Sequence, residues 1–356
     1  MTVPADPAQP GDKNGKDDKD LRRIGLWGAT QSGKSTFLSA LYIAVNRASR
    51  QDLMIYGMDN NSTDFLVNNT SMLNYSHIFP AATEKDQQLA WNVRMRIPDR
   101  QRRRFRGKGD GTVPVDLRVD LQDSPGRLFR SVPGQESGEE ADQGAQPGRL
   151  SLPGEDNQPD QAGDMASYLA NCHGVLLLID PLRERRTGDA HEYFHGTLLR
   201  MAQRAMPGVP PGERLSHHVA VCVTKFDDPD VYCFARDNGY RFYHSKDEHM
   251  FPRVSDGDAE RFLHELCHGY SKSDIELVSS ALGKYFYPER VRYFITSAVG
   301  FYINGEGQFQ DEDYQNVLEQ PGGPGQEPTY KIRGAVHPIN VVEPLLWLGE
   351  SVAAGR

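Results

Sequence analysis

The stretch that decides the fold is Gly28-Ala29-Thr30-Gln31-Ser32-Gly33-Lys34-Ser35. It is a complete Gly-x-x-x-x-Gly-Lys-Ser motif. Residues 23–27 before it have the pattern of a short strand, and residues 36–45 after it have the pattern of a helix. This strand–loop–helix context is the one in which the motif forms a phosphate-binding loop.

The residue types of this loop suit a polyphosphate. Glycines at positions 28 and 33 allow consecutive backbone N–H groups and the helix N-terminus to surround the anion closely. Lys34 supplies a positive charge to the β- and γ-phosphates, and the hydroxyl of Ser35 is a ligand for Mg²⁺. We predict that the nucleotide contacts Gly28, Thr30, Gln31, Ser32, Gly33, Lys34, Ser35 and Thr36.

Composition and charge limit the class of protein. The 356 residues carry a net charge of −9, which argues against general binding to nucleic acid or anionic lipid. The chain has no run of about 18 apolar residues and no signal peptide, so we expect a cytoplasmic protein without a membrane span. Residues 1–20 lack a hydrophobic period and are predicted to be a disordered tail, and residues 21–356 are predicted to form one domain.

Strand and helix patterns alternate along the domain. Apolar runs at residues 174–180, 218–224 and 291–296 are typical of strands buried on both faces. Residues 89–97 and 113–121 alternate apolar and polar and predict an antiparallel hairpin. We therefore predict an α/β fold of the P-loop NTPase type. It is a three-layer sandwich whose mostly parallel, six-stranded sheet has one antiparallel strand.

The remaining segments complete this prediction. Residues 53–56 have the pattern of a small strand, and residues 189–205, 258–285 and 338–348 have helical patterns. Residues 131–163 and 304–334 are rich in Gly, Pro and Gln, which predicts flexible insertions rather than further domains.

A second motif follows the predicted hairpin. Asp123-Ser124-Pro125-Gly126 is an Asp-x-x-Gly sequence at the end of a strand. An aspartate there can hold Mg²⁺, usually through water, and the N–H of Gly126 can reach a γ-phosphate. These residues also suit an ordinary turn, but their position after a phosphate loop favours the functional interpretation.

Two further motifs suit recognition of the purine base of a nucleotide. Thr224-Lys225-Phe226-Asp227 follows a buried strand, at the edge where α/β sheets bind ligands. A carboxylate at Asp227 can accept hydrogen bonds from N1–H and N2–H₂ of guanine, a donor pair that adenine lacks. The stem of Lys225 can cover the ring. Ser297-Ala298, after the last strand, can place a backbone N–H near guanine O6.

In order and position, these four motifs resemble the first, third, fourth and fifth motifs of the translation-factor-like and Ras-like (TRAFAC) class of P-loop GTPases. The resemblance covers roughly residues 22–300 and the terminal helix. It implies a Mg²⁺-dependent GTPase in which Lys34 and Gly126 act in catalysis and Ser35 and Asp123 hold Mg²⁺. Thr83 is the candidate for the second motif, contacting Mg²⁺ and the γ-phosphate, although Thr63, Thr70 and a plain loop remain open.

Within this class the chain most resembles the double-GTPase domains of bacterial conflict (defence) systems. The residues behind this narrower resemblance are 79–83, the Gly/Pro-rich interruption after Asp-x-x-Gly, and the closing stretch 338–348. It implies a protein partner: a second GTPase, an effector or another copy of the chain.

Three departures from the class pattern leave the activity open. Thr224 replaces the more usual asparagine, which leaves guanine binding intact, whereas Arg127 follows Gly126 where Ras-like members have a water-orienting glutamine. Thr30 stands where many fast-cycling members have glycine.

These departures leave three hypotheses about function. The first hypothesis is a slow or partner-activated GTPase that acts as a switch. The second is a GTP/GDP-binding scaffold with negligible hydrolysis, and the third is an ATPase or nucleotide kinase.

Other signals are given a structural interpretation. Residues 191–195 and 264–268 both match His-Glu-x-x-His, but neither has a recognisable third zinc ligand, so we interpret them as helix residues. The basic run at residues 100–108 is a solvated turn or a docking patch, for which a protein is the favoured partner. The four cysteines are expected to be free thiols.

Overall fold

A seven-stranded sheet forms the centre of the computed structural model. The structure describes residues 21–29, 31–47, 52–81, 87–98, 112–123, 161–244, 247–322 and 328–355. Its strands are β1 (Arg22–Gly28), β2 (Leu53–Gly57), β3 (Gln87–Pro98), β4 (Thr112–Asp123), β5 (Gly174–Ile179), β6 (His218–Val223), β7 (Arg241–Tyr243), β8 (Pro252–Val254), β9 (Val291–Ile295), β10 (Val317–Gln320) and β11 (Thr329–Ile332).

The strand order of the central sheet is β2-β3-β4-β1-β5-β6-β9. β4, β1, β5, β6 and β9 are parallel neighbours, and β3 pairs antiparallel with both β2 and β4. Only β3 therefore runs against the other strands of this sheet, as predicted. The sheet has seven strands rather than six because the short segment at residues 53–57 joins it as an edge strand.

Helices cover the sheet. They are α1 (Lys34–Arg47), α2 (Asn60–Ser71), α3 (Gln161–Ala170), α4 (Pro181–Thr187), α5 (Ala190–Ala205), α6 (Pro229–Asp237), α7 (Ala259–His268), α8 (Ile275–Tyr285) and α9 (Glu343–Ala353). All residues of β5 and β6 are buried. Successive side chains enter different cores, since Leu177 packs in one cluster and Leu178 in the other. This explains why both strands are apolar without alternation.

Helices α4 and α6 each begin at an Asp-Pro pair that follows a central strand, β5 or β6. The carboxylate of Asp180 accepts a hydrogen bond from the N–H of Leu182 at 3.0 Å, and Asp228 accepts one from Asp230 at 3.0 Å. Proline follows each aspartate in the first helical turn, where its missing N–H costs nothing. The chain thus turns sharply at the carboxyl ends of the strands, which leaves this edge of the sheet open.

The segment at residues 304–334 differs from the prediction of a flexible insertion. Its described residues include the hairpin β10–β11. Buried Asn316 donates to the carbonyl oxygens of Val299 at 3.3 Å and Ala335 at 3.1 Å, and accepts from the N–H of Gly334 at 2.9 Å. These contacts attach the segment to the loop after β9. The predicted insertion at 131–163 lies outside the described residues except for its last three, which begin α3, and the tail at 1–20 also lies outside.

The terminal helix begins later than predicted. α9 starts at Glu343, because Ile339 instead pairs with Ser297 as an antiparallel bridge. All four cysteines are free in the structure, as expected. Across the part of the chain that is described, none of the helices combines the length and apolar character needed to cross a bilayer.

Gly300 provides a test of this C-terminal packing. Its φ is +69°, and a Cβ there would lie 1.9 Å from the carbonyl oxygen of His337. We expect Gly300→Ala to lower the free energy of unfolding by at least about 2 kcal/mol, because the left-handed backbone alone costs ~1–2 kcal/mol and the clash adds to it. Urea denaturation measures the effect. Gly305→Ala, which meets no atom within 4 Å, is the control, and an equal loss in both variants would contradict the packing.

Candidate functional site

The loop between β1 and α1 has the geometry of an anion cradle. Gln31 and Gly33 have φ values of 62° and 90°, and the N–H of Ser32 donates to the carbonyl oxygen of Ala29 at 3.1 Å. A Cβ at Gly28 would lie 2.6 Å from the Ser32 hydroxyl and 3.0 Å from the Leu178 carbonyl oxygen. Glycine is therefore required at position 28 by close packing and at position 33 by backbone conformation. Thr30 lies outside the described residues.

Lys34 folds back over this loop. Its Nζ donates to the carbonyl oxygens of Gly28 at 3.0 Å and Ala29 at 3.1 Å. The hydroxyl of Tyr193, on α5, donates to the same Gly28 oxygen at 2.9 Å. Two donors thus fix the start of the loop. Ser35 and Thr36 are half-buried in the first turn of α1.

The third motif is described only in part. In the parallel pair β1–β4, Leu26 lies opposite Leu121, so the backbone of Asp123 ends level with Gly28. Asp123 therefore belongs to the strand end next to the phosphate loop. Its side chain lies outside the described part of the structure, as do Thr83, Gly126 and Arg127.

The fourth motif contacts the loop directly. The Thr224 hydroxyl lies 3.3 Å from the Ser32 carbonyl oxygen and 3.2 Å from that of Ile179. Lys225, with a φ of 62°, extends its Nζ to the Asp180 carboxylate at 2.6 Å. The Asp180 side chain is only 1% exposed. The end of β6 is therefore joined both to the loop and to the end of β5.

Asp227 meets the fifth motif. The Ser297 hydroxyl donates to the buried Asp227 carboxylate and accepts from the N–H of Gly300 at 2.7 Å. Burial raises the pKa of Asp227 to about 6, and the hydrogen bond from Ser297 opposes that shift. The N–H of Ser297 is used by the carbonyl oxygen of Ile339 at 3.0 Å. The neighbouring N–H of Ala298 has no partner among the described residues.

The structure thus brings four distant stretches to one edge of the sheet: the phosphate loop, the end of β4, residues 224–227 and residues 297–298. Two residues that sequence reasoning did not select, Asp180 and Tyr193, also contact these stretches. Asp180 could have been found, because it ends a buried strand of the same sheet edge. Tyr193 carries no such signal, since it lies within a helical stretch that resembles a zinc motif.

The zinc patterns have other roles here. The rings of His191 and His195 are tilted by 31° with their centroids 4.8 Å apart, and His264 is hydrogen-bonded to the Ser279 hydroxyl at 2.8 Å. Within the described ranges, no three His, Cys, Asp or Glu side chains are placed to share a metal ion. Both patterns lie within helices, α5 and α7, as the sequence predicted.

Comparisons with known proteins find similarity only at the level of structure. No protein-family model matches the chain, and no curated protein matches it in sequence. A bacterial selenocysteine-specific elongation factor, EF-Sec, is 12% identical with a TM-score of 0.29, over 78% of this chain and 26% of that one. The signal recognition particle receptor complex SRb-GTP/SRX of Chaetomium thermophilum is 12% identical with a TM-score of 0.32, over 81% and 94%.

A third similar structure is the S. cerevisiae Ski7 GTPase-like domain bound to GTP, 11% identical with a TM-score of 0.33, over 94% of this chain and 50% of that one. The chain thus spans about a quarter of the EF-Sec chain and half of the Ski7 chain. Because these identities and TM-scores are low, the fold is assigned from the strand order and the candidate site from the contacts described above.

Proposed function

We propose that this protein binds guanine nucleotides, hydrolyses GTP to GDP with Mg²⁺, and acts as a nucleotide-controlled switch. The observation that carries the proposal is the contact of the Thr224 hydroxyl with the Ser32 carbonyl oxygen, three residues before a buried carboxylate. This contact supports the proposal because it joins residues 224–227 to the loop at 28–35, at the carboxyl ends of the parallel strands. One crevice would then serve both the base and the phosphates of the nucleotide.

The base end of the proposed site is formed by Asp227. Its ionised carboxylate accepts hydrogen bonds from N1–H and N2–H₂ of guanine, and the Ser297 hydroxyl holds the carboxylate in place. The ion pair with Asp180 fixes the Lys225 side chain, whose stem covers the ring. The N–H of Ala298, which has no partner in the described part of the chain, serves guanine O6. Adenine would leave the buried Asp227 charge without its donors, which argues against an ATPase or nucleotide kinase.

The phosphate end of the proposed site is formed by the loop amides and Lys34. The Gly28 and Ala29 carbonyl oxygens hold the ammonium group over the loop. The hydroxyl of Ser35 and the carboxylate of Asp123 are oxygen donors at adjacent element ends, a set that fits Mg²⁺. When bound, Mg²⁺ neutralises charge on the β- and γ-phosphates.

Hydrolysis in this proposal depends on positioning and charge stabilisation rather than covalent chemistry. Thr83 and the N–H of Gly126 contact the γ-phosphate, and loss of that phosphate releases their segments to change partner binding. Arg127 and Thr30 favour a slow intrinsic rate, and they also favour the second candidate, a scaffold that holds GTP or GDP without turnover. Single-turnover GTP hydrolysis with and without cell lysate separates the two.

The narrower family resemblance leads to a proposed setting. As a member of a bacterial conflict system, the protein would act with a second GTPase or an effector. The support is the sequence at residues 79–83 and 338–348. Inspection of adjacent genes tests it, and the absence of a GTPase or effector gene there would count against it.

The Asp227 pKa predicts a pH dependence of base selectivity. Guanine recognition needs the ionised carboxylate, and its pKa is about 6 in the free protein. As pH falls from 7.5 to 5, the ionised fraction and hence the affinity for GTP relative to ATP falls about 10-fold. Equilibrium titrations at both pH values measure this ratio of affinities. Protonation of the phosphates affects GTP and ATP equally and therefore cancels in the ratio. A ratio that stays constant, or rises, at pH 5 would exclude Asp227 as the recognition group.

A further inference from the structure

A surface cleft of about 410 Å³ lies apart from the proposed nucleotide site. Its walls come from Tyr243, His249, Met250 and residues 309–312, and none of the described residues of the four motifs lines it. Tyr243 and Met250 are 41% and 54% exposed, so the cleft presents large apolar side chains to solvent. Its volume is within the range of pockets that hold ligands. Exposed apolar surface around such a cleft marks an interaction site.

The floor of the cleft packs against the core. The ring of Phe309 packs against Phe301 at 5.4 Å and against Phe251 at 6.1 Å. Both of these rings are buried in the core. Tyr232 and Arg241 hold the side chain of Asp311 from below. Because these side chains are already fixed, an occupant would find a formed surface and little ordering cost.

The rim of the cleft is acidic. Residues 241–253 and 306–313 contain six carboxylates and three basic side chains. Of these carboxylates, Asp311 is paired with Arg241, Asp247 with Arg253 and Asp313 with Arg333. Glu248 and Glu312 are exposed, and neither forms an ion pair with any described residue. The cleft therefore fits a segment that combines positive charge with an aromatic or apolar side chain.

We propose that this cleft binds the basic run at residues 100–108 of a second copy of the chain. That run, Arg-Gln-Arg-Arg-Arg-Phe-Arg-Gly-Lys, has six basic side chains, no carboxylate and one aromatic ring, Phe105. Phe105 enters between Tyr243 and Phe309, and the arginines face Glu312 and Glu248. The proposal is independent of nucleotide binding.

The run of the same copy does not reach the cleft. It joins Pro98 to Thr112, at the far end of β3 and β4. The eleven steps from Thr112 to Asp123 span roughly 36 Å along the strands. The cleft, in contrast, is joined through Phe301 to the loops at the carboxyl ends of β6 and β9. Half of the thirteen residues 99–111 can span at most about 23 Å, so the contact is between copies and joins them head to tail.

The first test is titration of a fluorescein-labelled peptide of residues 99–109 with the full chain, followed by anisotropy. We expect saturable binding that Glu312→Arg and Tyr243→Ser each weaken at least 5-fold. Glu319→Arg changes the charge equally at an exposed site on β10 and is expected to change binding less than 2-fold. A peptide with Phe105→Ser should also bind at least 5-fold more weakly. Absence of saturable binding, or equal loss with Glu319→Arg, overturns the proposal.

The second test is sedimentation velocity of the full chain over a range of concentrations. The expected result is self-association that grows with concentration and is lost in Glu312→Arg and in Arg103→Glu/Arg104→Glu, but kept in Glu319→Arg. The proposal is overturned if the wild-type chain stays monomeric at a protein concentration 100 times the dissociation constant of the peptide, even if the peptide itself binds. Association that Glu312→Arg leaves unchanged also overturns it.

Discussion

Replacement of Asp227 by asparagine is expected to change the preferred base from guanine to xanthine. The buried carboxylate accepts from two donors of guanine in the proposed complex. An asparagine amide can accept from only one and turns a donor toward the guanine N2 amino group. Xanthine has an N1–H donor next to a carbonyl oxygen, which matches the amide. We expect affinity for GTP to fall about 100-fold or more, as for loss of a charge-assisted pair, and affinity for XTP to rise.

Competition titrations with GTP, XTP and ATP measure this change. Asp228→Asn is the matched control: it lies next to Asp227, and asparagine also caps the N-terminus of α6. The control should keep the preference for GTP. If Asp227→Asn binds GTP as the wild type does, the base site has been assigned to the wrong residue.

Removal of the Lys34 side chain is expected to weaken binding of GTP and GDP without changing the preferred base. The ammonium group is held over the loop by the Gly28 and Ala29 carbonyl oxygens. Loss of a charged hydrogen-bond donor of this kind costs about 2–3 kcal/mol, or roughly 30- to 150-fold in affinity. We expect the folded structure to persist in Lys34→Ala, because Tyr193 still donates to the Gly28 oxygen.

The control for this variant is Lys331→Ala, an exposed lysine on β11. This variant removes the same charge at a site outside the phosphate loop and should leave the affinity for GTP and GDP unchanged. Isothermal titration measures both variants, and their melting temperatures show whether each remains folded. A folded Lys34→Ala protein that binds GTP with wild-type affinity would mean that phosphates do not enter this loop.

Local sequence patterns predicted most of the central sheet. Apolar runs located β5, β6 and β9, and alternation located the β3–β4 hairpin, because burial on two faces or on one determines these patterns directly. The motif at residues 28–35 predicted the turn between β1 and α1, where two glycines are required for different reasons. The Thr224, Asp227 and Ser297 positions could also be predicted, since they directly follow strands.

The remaining features depend on contacts between distant residues. Residues 304–334 have the composition of a loop, yet Asn316 attaches them to Val299 and Ala335. α9 begins after Ile339 because that residue pairs with Ser297. Tyr193 reaches the phosphate loop from a helix 165 residues away. No local pattern of charge or hydrophobicity carries information about such partners.

The most direct test of the central claim is the selectivity of the wild-type protein for guanine over adenine nucleotides. A fluorescent GTP analogue is bound in the presence of Mg²⁺ and displaced by GTP, GDP or ATP at pH 7.5. If one crevice binds guanine through Asp227 and the phosphates through Lys34, GTP and GDP should displace the analogue at concentrations at least about 100-fold lower than ATP requires. Displacement by ATP at the same concentration as GTP would contradict the account.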